Sequence, residues 1–197
     1  MGVLLFSVAC LVFLDIFNIN PFIQPIKNPN YIKSVEIPQK IVPIEQVKSW
    51  LPVHLKIPKI NINVIIEHVG LTPKWTMEIP KDFINVAWFN LGPRPGEKWV
   101  AVIDWHFGLK NGISPAFNDL HKLNKGDKLY VEDEKWITTT FIVREIKTYI
   151  QSDSTSDVFN SKDEKSHLNL ITCQWNRDKV KKSYPNRLVV FTDKEIK

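Results

Sequence analysis

From Leu51 onward the chain is a succession of short, β-branched apolar runs: Leu55 to Ile57, Ile62 to Val69, Val100 to Ile103, Lys128 to Glu132, Ile137 to Tyr149, Leu168 to Thr172 and Arg187 to Thr192. Most are too short for helices, and turn residues part them at close intervals. That is the texture of an all-β barrel or sandwich. Helical signals are few: Ser114-Pro115 opens a short segment through His121, and Ser154 to Phe159 supplies one turn of helix.

Ahead of the strands lie two different stretches. Val3 to Phe17 is apolar except for Ser7 and Asp15. At 1.5 Å per residue this run reaches about 22 Å, short of the ~30 Å hydrocarbon core, and no basic residue precedes it. It reads as a trimmed export or anchor segment, residues 1–17, or as one whose true start lies upstream; a buried helix of the domain is the competing reading. Cys10 within it is an apolar filler. Residues 18–50 carry Pro21, Pro25, Pro29, Pro38 and Pro43 without sustained periodicity, the composition of a stalk or linker. The domain proper is expected over residues 51–197.

Charge narrows the function classes. Lys and Arg total 26 against 21 acids, a net charge of +5 spread along the chain rather than gathered in blocks, which disfavours a nucleic-acid binder. Two cysteines make no disulfide framework, and a zinc site using both would join Cys10 to distant Cys173. One pair of counts is unusual. Glycine and tryptophan each occur seven times, roughly 3.6% apiece, where glycine alone averages about 7%. Trp75, Trp99 and Trp136 each follow a polar turn just before a strand-like run, where glycine is favoured because positive φ costs it nothing.

Three residues at the ends of apolar strands are the candidates for chemistry. Cys173 closes Leu168-Asn169-Leu170-Ile171-Thr172-Cys173, His106 follows Val100 to Ile103, and Arg187 opens the last strand. A thiol nucleophile, an imidazole proton carrier and a fixed cation for a developing oxyanion are the parts of thiol acyl transfer. Taken singly, each is more often structural: packing for Cys173, a satisfied loop histidine for His106, a strand-edge salt bridge for Arg187. His54, His68, His121 and His167 lie in polar or loop contexts and are expected on the surface.

The wording around the three residues resembles the sortases, the cysteine transpeptidases of bacterial cell surfaces. Asn169-Leu170-Ile171-Thr172-Cys173 departs from the family's Thr-Leu-x-Thr-Cys only at its first place. Leu55-Lys56-Ile57-Pro58-Lys59-Ile60, Asn85-Val86-Ala87-Trp88-Phe89, Gly92-Pro93-Arg94-Pro95-Gly96-Glu97, Phe107-Gly108, Phe117-Asn118-Asp119-Leu120, Lys125-Gly126-Asp127 and Arg187-Leu188-Val189-Val190-Phe191-Thr192 continue the likeness in order, from about Leu51 to Lys194. The compact class D, E and F enzymes are the nearest in wording.

The resemblance implies a closed β-barrel of about eight strands with a few short helices, behind the apolar segment and Pro-rich linker. It implies Cys173 as nucleophile, His106 as general acid and base, and Arg187 as the group steadying the carbonyl oxygen, with no metal or organic cofactor. The implied partners are exported proteins bearing C-terminal sorting signals of LPxTG type, an amine acceptor such as a cell-wall precursor or pilin lysine, and the cytoplasmic membrane through the N-terminal segment, with the catalytic domain outside the cell. The other readings are an inactive sortase-like module that only binds peptides or partners, and another Cys-His peptidoglycan transpeptidase, whose Ser-His-Gly-Cys type motif is missing here.

The likeness breaks at tryptophans. Trp105 stands directly before His106, where sortases place glycine, and Trp50, Trp75, Trp99, Trp136 and Trp175 also fall where members of this wording tend to have glycine. Only Trp88 falls on a family tryptophan. One cause accounts for all six: UGA codons read as tryptophan under one genetic code and as glycine under another. Moving six residues across brings glycine to thirteen, close to its usual share. If they are true tryptophans, Trp105 and Trp175 are expected to close the groove.

Overall fold

A computed structural model of the chain describes residues 50–105, 112, 115–150, 153–173 and 186–196. The apolar segment and nearly all of the linker, together with His106 and Trp175, lie outside the described residues. Eight strands form one closed barrel: β1 (Pro52–Ile57), β2 (Ile62–Val69), β3 (Val86–Phe89), β4 (Trp99–Trp105), β5 (Lys128–Asp133), β6 (Thr138–Tyr149), β7 (Ser166–Cys173) and β8 (Arg187–Lys194). Around the barrel the order is β1-β2-β3-β4-β7-β8-β6-β5, with β5 returning to β1. The β2–β3 and β4–β7 pairs are parallel and the rest antiparallel. Closure leaves no free sheet edge, which settles barrel against sandwich.

Local chemistry places the turns. Pro58 cannot continue the β1 ladder and opens a short 3-10 helix over Pro58–Ile60. Asn61, with φ of 54°, then turns the chain into β2, and asparagine tolerates that left-handed conformation. The segment expected to be helical after Ser114-Pro115 is a 3-10 helix at Ala116–Lys122, and Ser156–Phe159 forms α1. The strand expectations hold for seven runs. β3 lay outside them, because its four residues are buried on both faces and show no alternation. Among the described residues no helix is long and apolar enough to cross a membrane.

The barrel has an inside and a covered outside. Along β4, Ala101, Ile103 and Trp105 face inward with Leu168 and Leu170 of β7 and Leu188 and Val190 of β8. The alternate residues Val100, Val102, Ile171, Val189 and Phe191 face outward under Tyr149 and Val158. This explains why β7 reads as a continuous apolar run: both of its faces are buried. Asn169 Nδ2 donates to the Val158 carbonyl at 2.7 Å, and the Tyr149 hydroxyl donates to Asp157 at 2.7 Å, fastening α1 over the outer face.

His167 departs from expectation. It is buried rather than on the surface, its Nε2 2.7 Å from Asp163 and its Nδ1 2.8 Å from Asp193, which also takes Arg144 at 2.7 Å. Position 167 shares the outer face of β7 with Ile171, and Ser161 and Asp163 of the preceding turn fold over it. The Ser161 hydroxyl, and after it the His167 ring, hold the Asp163 carboxyl well below the usual carboxylate range. A depressed carboxyl contributes stability above its unfolded pKa of about 3.9 and loses it as pH falls toward the folded value. Asp163→Asn is therefore expected to melt below the parent protein at pH 6, with the gap shrinking as pH is lowered below about 4. Parallel melting curves across that range would contradict the sign.

Candidate active site

Two of the three expected site residues meet. In the antiparallel β7–β8 pair, Cys173 is directly opposite Arg187, the last residue of one strand against the first of the other. Directly opposed residues carry their Cβ atoms roughly 4.5–5.5 Å apart and project from the same face. By alternation that face is the outer one, shared with Ile171, Val189 and Phe191. Both side chains are buried, and Arg187 Nη1 donates to the Asn186 carbonyl at 3.3 Å. The burial of Cys173 sets it deeper than the strand-end rim expected of it.

The third, His106, lies outside the described residues, but the strand leading to it does not. β4 runs parallel to β7 with Trp105 opposite Thr172, so the residue before His106 pairs with the residue before Cys173. Across this pair the Thr172 hydroxyl donates to the Trp105 carbonyl at 3.0 Å, inside the barrel. That bond ties together the two strand ends at the peptide that leads into His106.

Trp105 does not close the groove as expected. Its side chain packs in the inner core, 5.7 Å between ring centroids from Phe83, on the face opposite to Cys173. The face that it vacates belongs to its neighbour. Asp104, half-buried, pairs with Ile171 and shares the outer face with Cys173 and Arg187. Sequence reasoning passed over Asp104. The available signal was a carboxylate two residues before the candidate histidine on a strand, the spacing that returns to the same face.

A thiol set between a cation and an anion is tuned by distance. Arg187, directly opposite, favours the thiolate. Asp104, one pair removed on the neighbouring strand and so roughly 7–8 Å away, opposes it more weakly. Among the described residues, no group of three His, Cys, Asp or Glu side chains is placed to hold a metal ion. Asp104→Asn removes the opposing charge, so alkylation of Cys173 by iodoacetamide is expected to set in at lower pH than in the parent protein. An unchanged profile would mean that the carboxylate does not act on the thiol.

Comparison with known proteins agrees with this architecture. A family model described as the sortase domain matches residues 55–195. No curated protein sequence matches the chain. Among solved structures, sortase C1 of Streptococcus agalactiae is 22% identical at a TM-score of 0.58, over 74% of this chain and 67% of that one. The Group B Streptococcus pilus island 1 sortase C2 is 23% identical at 0.56, over 73% of each chain. Sortase A from Corynebacterium diphtheriae is 20% identical at 0.59, over 75% of this chain and 61% of that one. At such identities these likenesses speak for the fold, while the family model spans most of the chain: the protein belongs to the sortase family.

Proposed function

We propose that the protein is a cell-surface cysteine transpeptidase that cleaves a C-terminal sorting signal of LPxTG type and transfers the freed acyl group to an amine. The observation that carries this reading is the facing pair Cys173 and Arg187 at the end of β7 and the start of β8. In the proposed cycle the Cys173 sulfur attacks the threonine carbonyl carbon and the Thr-Gly C–N bond breaks. The His106 imidazolium gives its proton to the departing glycine amine, leaving a thioacyl enzyme. An amine then attacks the thioester carbonyl, gives a proton back to His106, and releases the sulfur.

Arg187 is the group proposed to hold the carbonyl oxygen as negative charge gathers on it. Burial strengthens such a contact, because water does not screen it. A thioester suits transfer, since it stays reactive toward amines. We further propose residues 1–17 as a membrane anchor and 18–50 as the stalk that holds the barrel, residues 51–197, outside the membrane. The acceptor would be a cell-wall precursor or a pilin lysine, and the motif wording favours class D, E or F.

The test is labelling by a sorting-signal peptide that carries a thiol-reactive group in place of the scissile bond. An adduct mapped to Cys173, lost in Cys173→Ala and in His106→Ala, is expected. Arg187→Lys keeps the charge but loses the planar fork, so kcat/KM for peptide cleavage is expected to fall about 10²-fold. A folded protein that binds the peptide and forms no adduct would favour the inactive peptide-binding module instead.

A further inference from the structure

Three tryptophans occupy backbone positions built for glycine. Trp75, Trp99 and Trp136 have φ of 62°, 78° and 62°, the left-handed region that L-residues seldom enter. Only five non-glycine residues among those described have positive φ, and these three are the majority. Asn61, of the type that tolerates the conformation, and Glu164 are the others. The tryptophans concerned are the ones that the sequence sets just after polar turns.

Two of the sites are the same turn built twice. In 72–76 the Thr72 carbonyl accepts from Trp75 N–H at 2.9 Å and Thr72 N–H donates to the Thr76 carbonyl at 2.8 Å. In 133–137 the Asp133 carbonyl accepts from Trp136 N–H at 2.9 Å and Asp133 N–H donates to the Ile137 carbonyl at 3.1 Å. Side-chain oxygens repeat the likeness: Thr72 Oγ1 accepts from residues 74 and 76, and Asp133 Oδ1 from residues 135 and 137. This is the three-residue hairpin loop whose third residue is left-handed, a place that glycine usually fills. At the third site Trp99 N–H donates to the Lys165 carbonyl at 2.7 Å, so its left-handed turn into β4 is held by the main chain.

The side chains gain little that offsets the strain. Trp75 and Trp136 are 58% and 70% exposed and Trp99 44%, so each leaves a large part of its indole in water, and Trp136 meets the His54 ring only at a tilted 6.3 Å. Trp88 shows what a tryptophan with a structural role looks like. It is buried, its Nε1 donates to the Pro93 carbonyl at 3.1 Å, its ring meets His68 edge-on at 5.3 Å, and its φ is not positive. Trp105, packed inside the barrel, gives no such backbone reason for glycine.

We infer that positions 75, 99 and 136 are glycine in the protein its own cells make, the residues being encoded by UGA and inserted by a glycine tRNA. This inference is independent of the proposed transpeptidase activity, since it rests on backbone geometry alone. Its chemistry is a change of residue identity: three exposed indoles give way to hydrogen, and the hairpin turns lose their strain.

The coding DNA and the native protein test it together. Peptide sequencing by mass spectrometry across residues 72–76, 96–100 and 133–137 is expected to read glycine over UGA codons, with tryptophan over UGG at position 88. Tryptophan at the three positions overturns the inference. Recombinant Trp75→Gly, Trp99→Gly and Trp136→Gly give a second reading. Each is expected to raise Tm by about 3 °C, and the triple variant by roughly 10 °C, while Trp88→Gly lowers it. Three glycine variants that melt at or below the parent temperature would overturn the claim that the backbone asks for glycine.

Discussion

The antiparallel register of β7 against β8 is the constraint on which the rest of the molecule depends. Slipping that pairing by one residue would turn Cys173 and Arg187 to opposite faces, because side chains alternate along a strand. The register is held by burial on both sides. Leu168 and Leu170 of β7, with Leu188 and Val190 of β8, fill the barrel, while Ile171, Val189 and Phe191 fill the outer layer. A slip would expose no single residue but exchange two cores at once, which makes the pairing expensive to break.

The remaining strands convert that local pairing into a site. β4, parallel to β7 on its other side, brings its end at Trp105 level with Thr172, and the Thr172 hydroxyl fixes the last carbonyl before His106. Asp104 shares the outer face with the thiol and the guanidinium, so the charge balance around Cys173 is set by three neighbouring strands. α1 and Tyr149 cover the middle of the same face, which confines the polar groups Asp104, Cys173 and Arg187 to one end of it.

Much of this was legible in the sequence, and for physical reasons. Seven apolar runs parted by turns announce strands, and the Cys173 wording carries the family. That the barrel closes was implied by the resemblance alone, and the pairing that closes it, β1 on β5, was not foreseen, because apolar patterning reports faces and not partners. β3 escaped notice since four residues buried on both sides leave no period to read. His167 was misplaced because its sequence neighbours are polar, yet the outer face of β7 is itself covered there and two aspartates meet its ring. Asp104 was overlooked for want of the sheet face that gives it meaning. The odd tryptophans, by contrast, were visible in composition first and in backbone angles second, two signals with a common physical root in the absence of a Cβ.

At the centre of the account stands the claim that Cys173 and Arg187 act on one carbonyl group. A crystal structure of the Cys173 adduct with a sorting-signal peptide analogue tests this most directly. The account predicts that the acyl oxygen accepts a hydrogen bond from the Arg187 guanidinium at about 2.7–3.1 Å. An adduct whose carbonyl oxygen points away from Arg187, with the guanidinium engaged elsewhere, would contradict it.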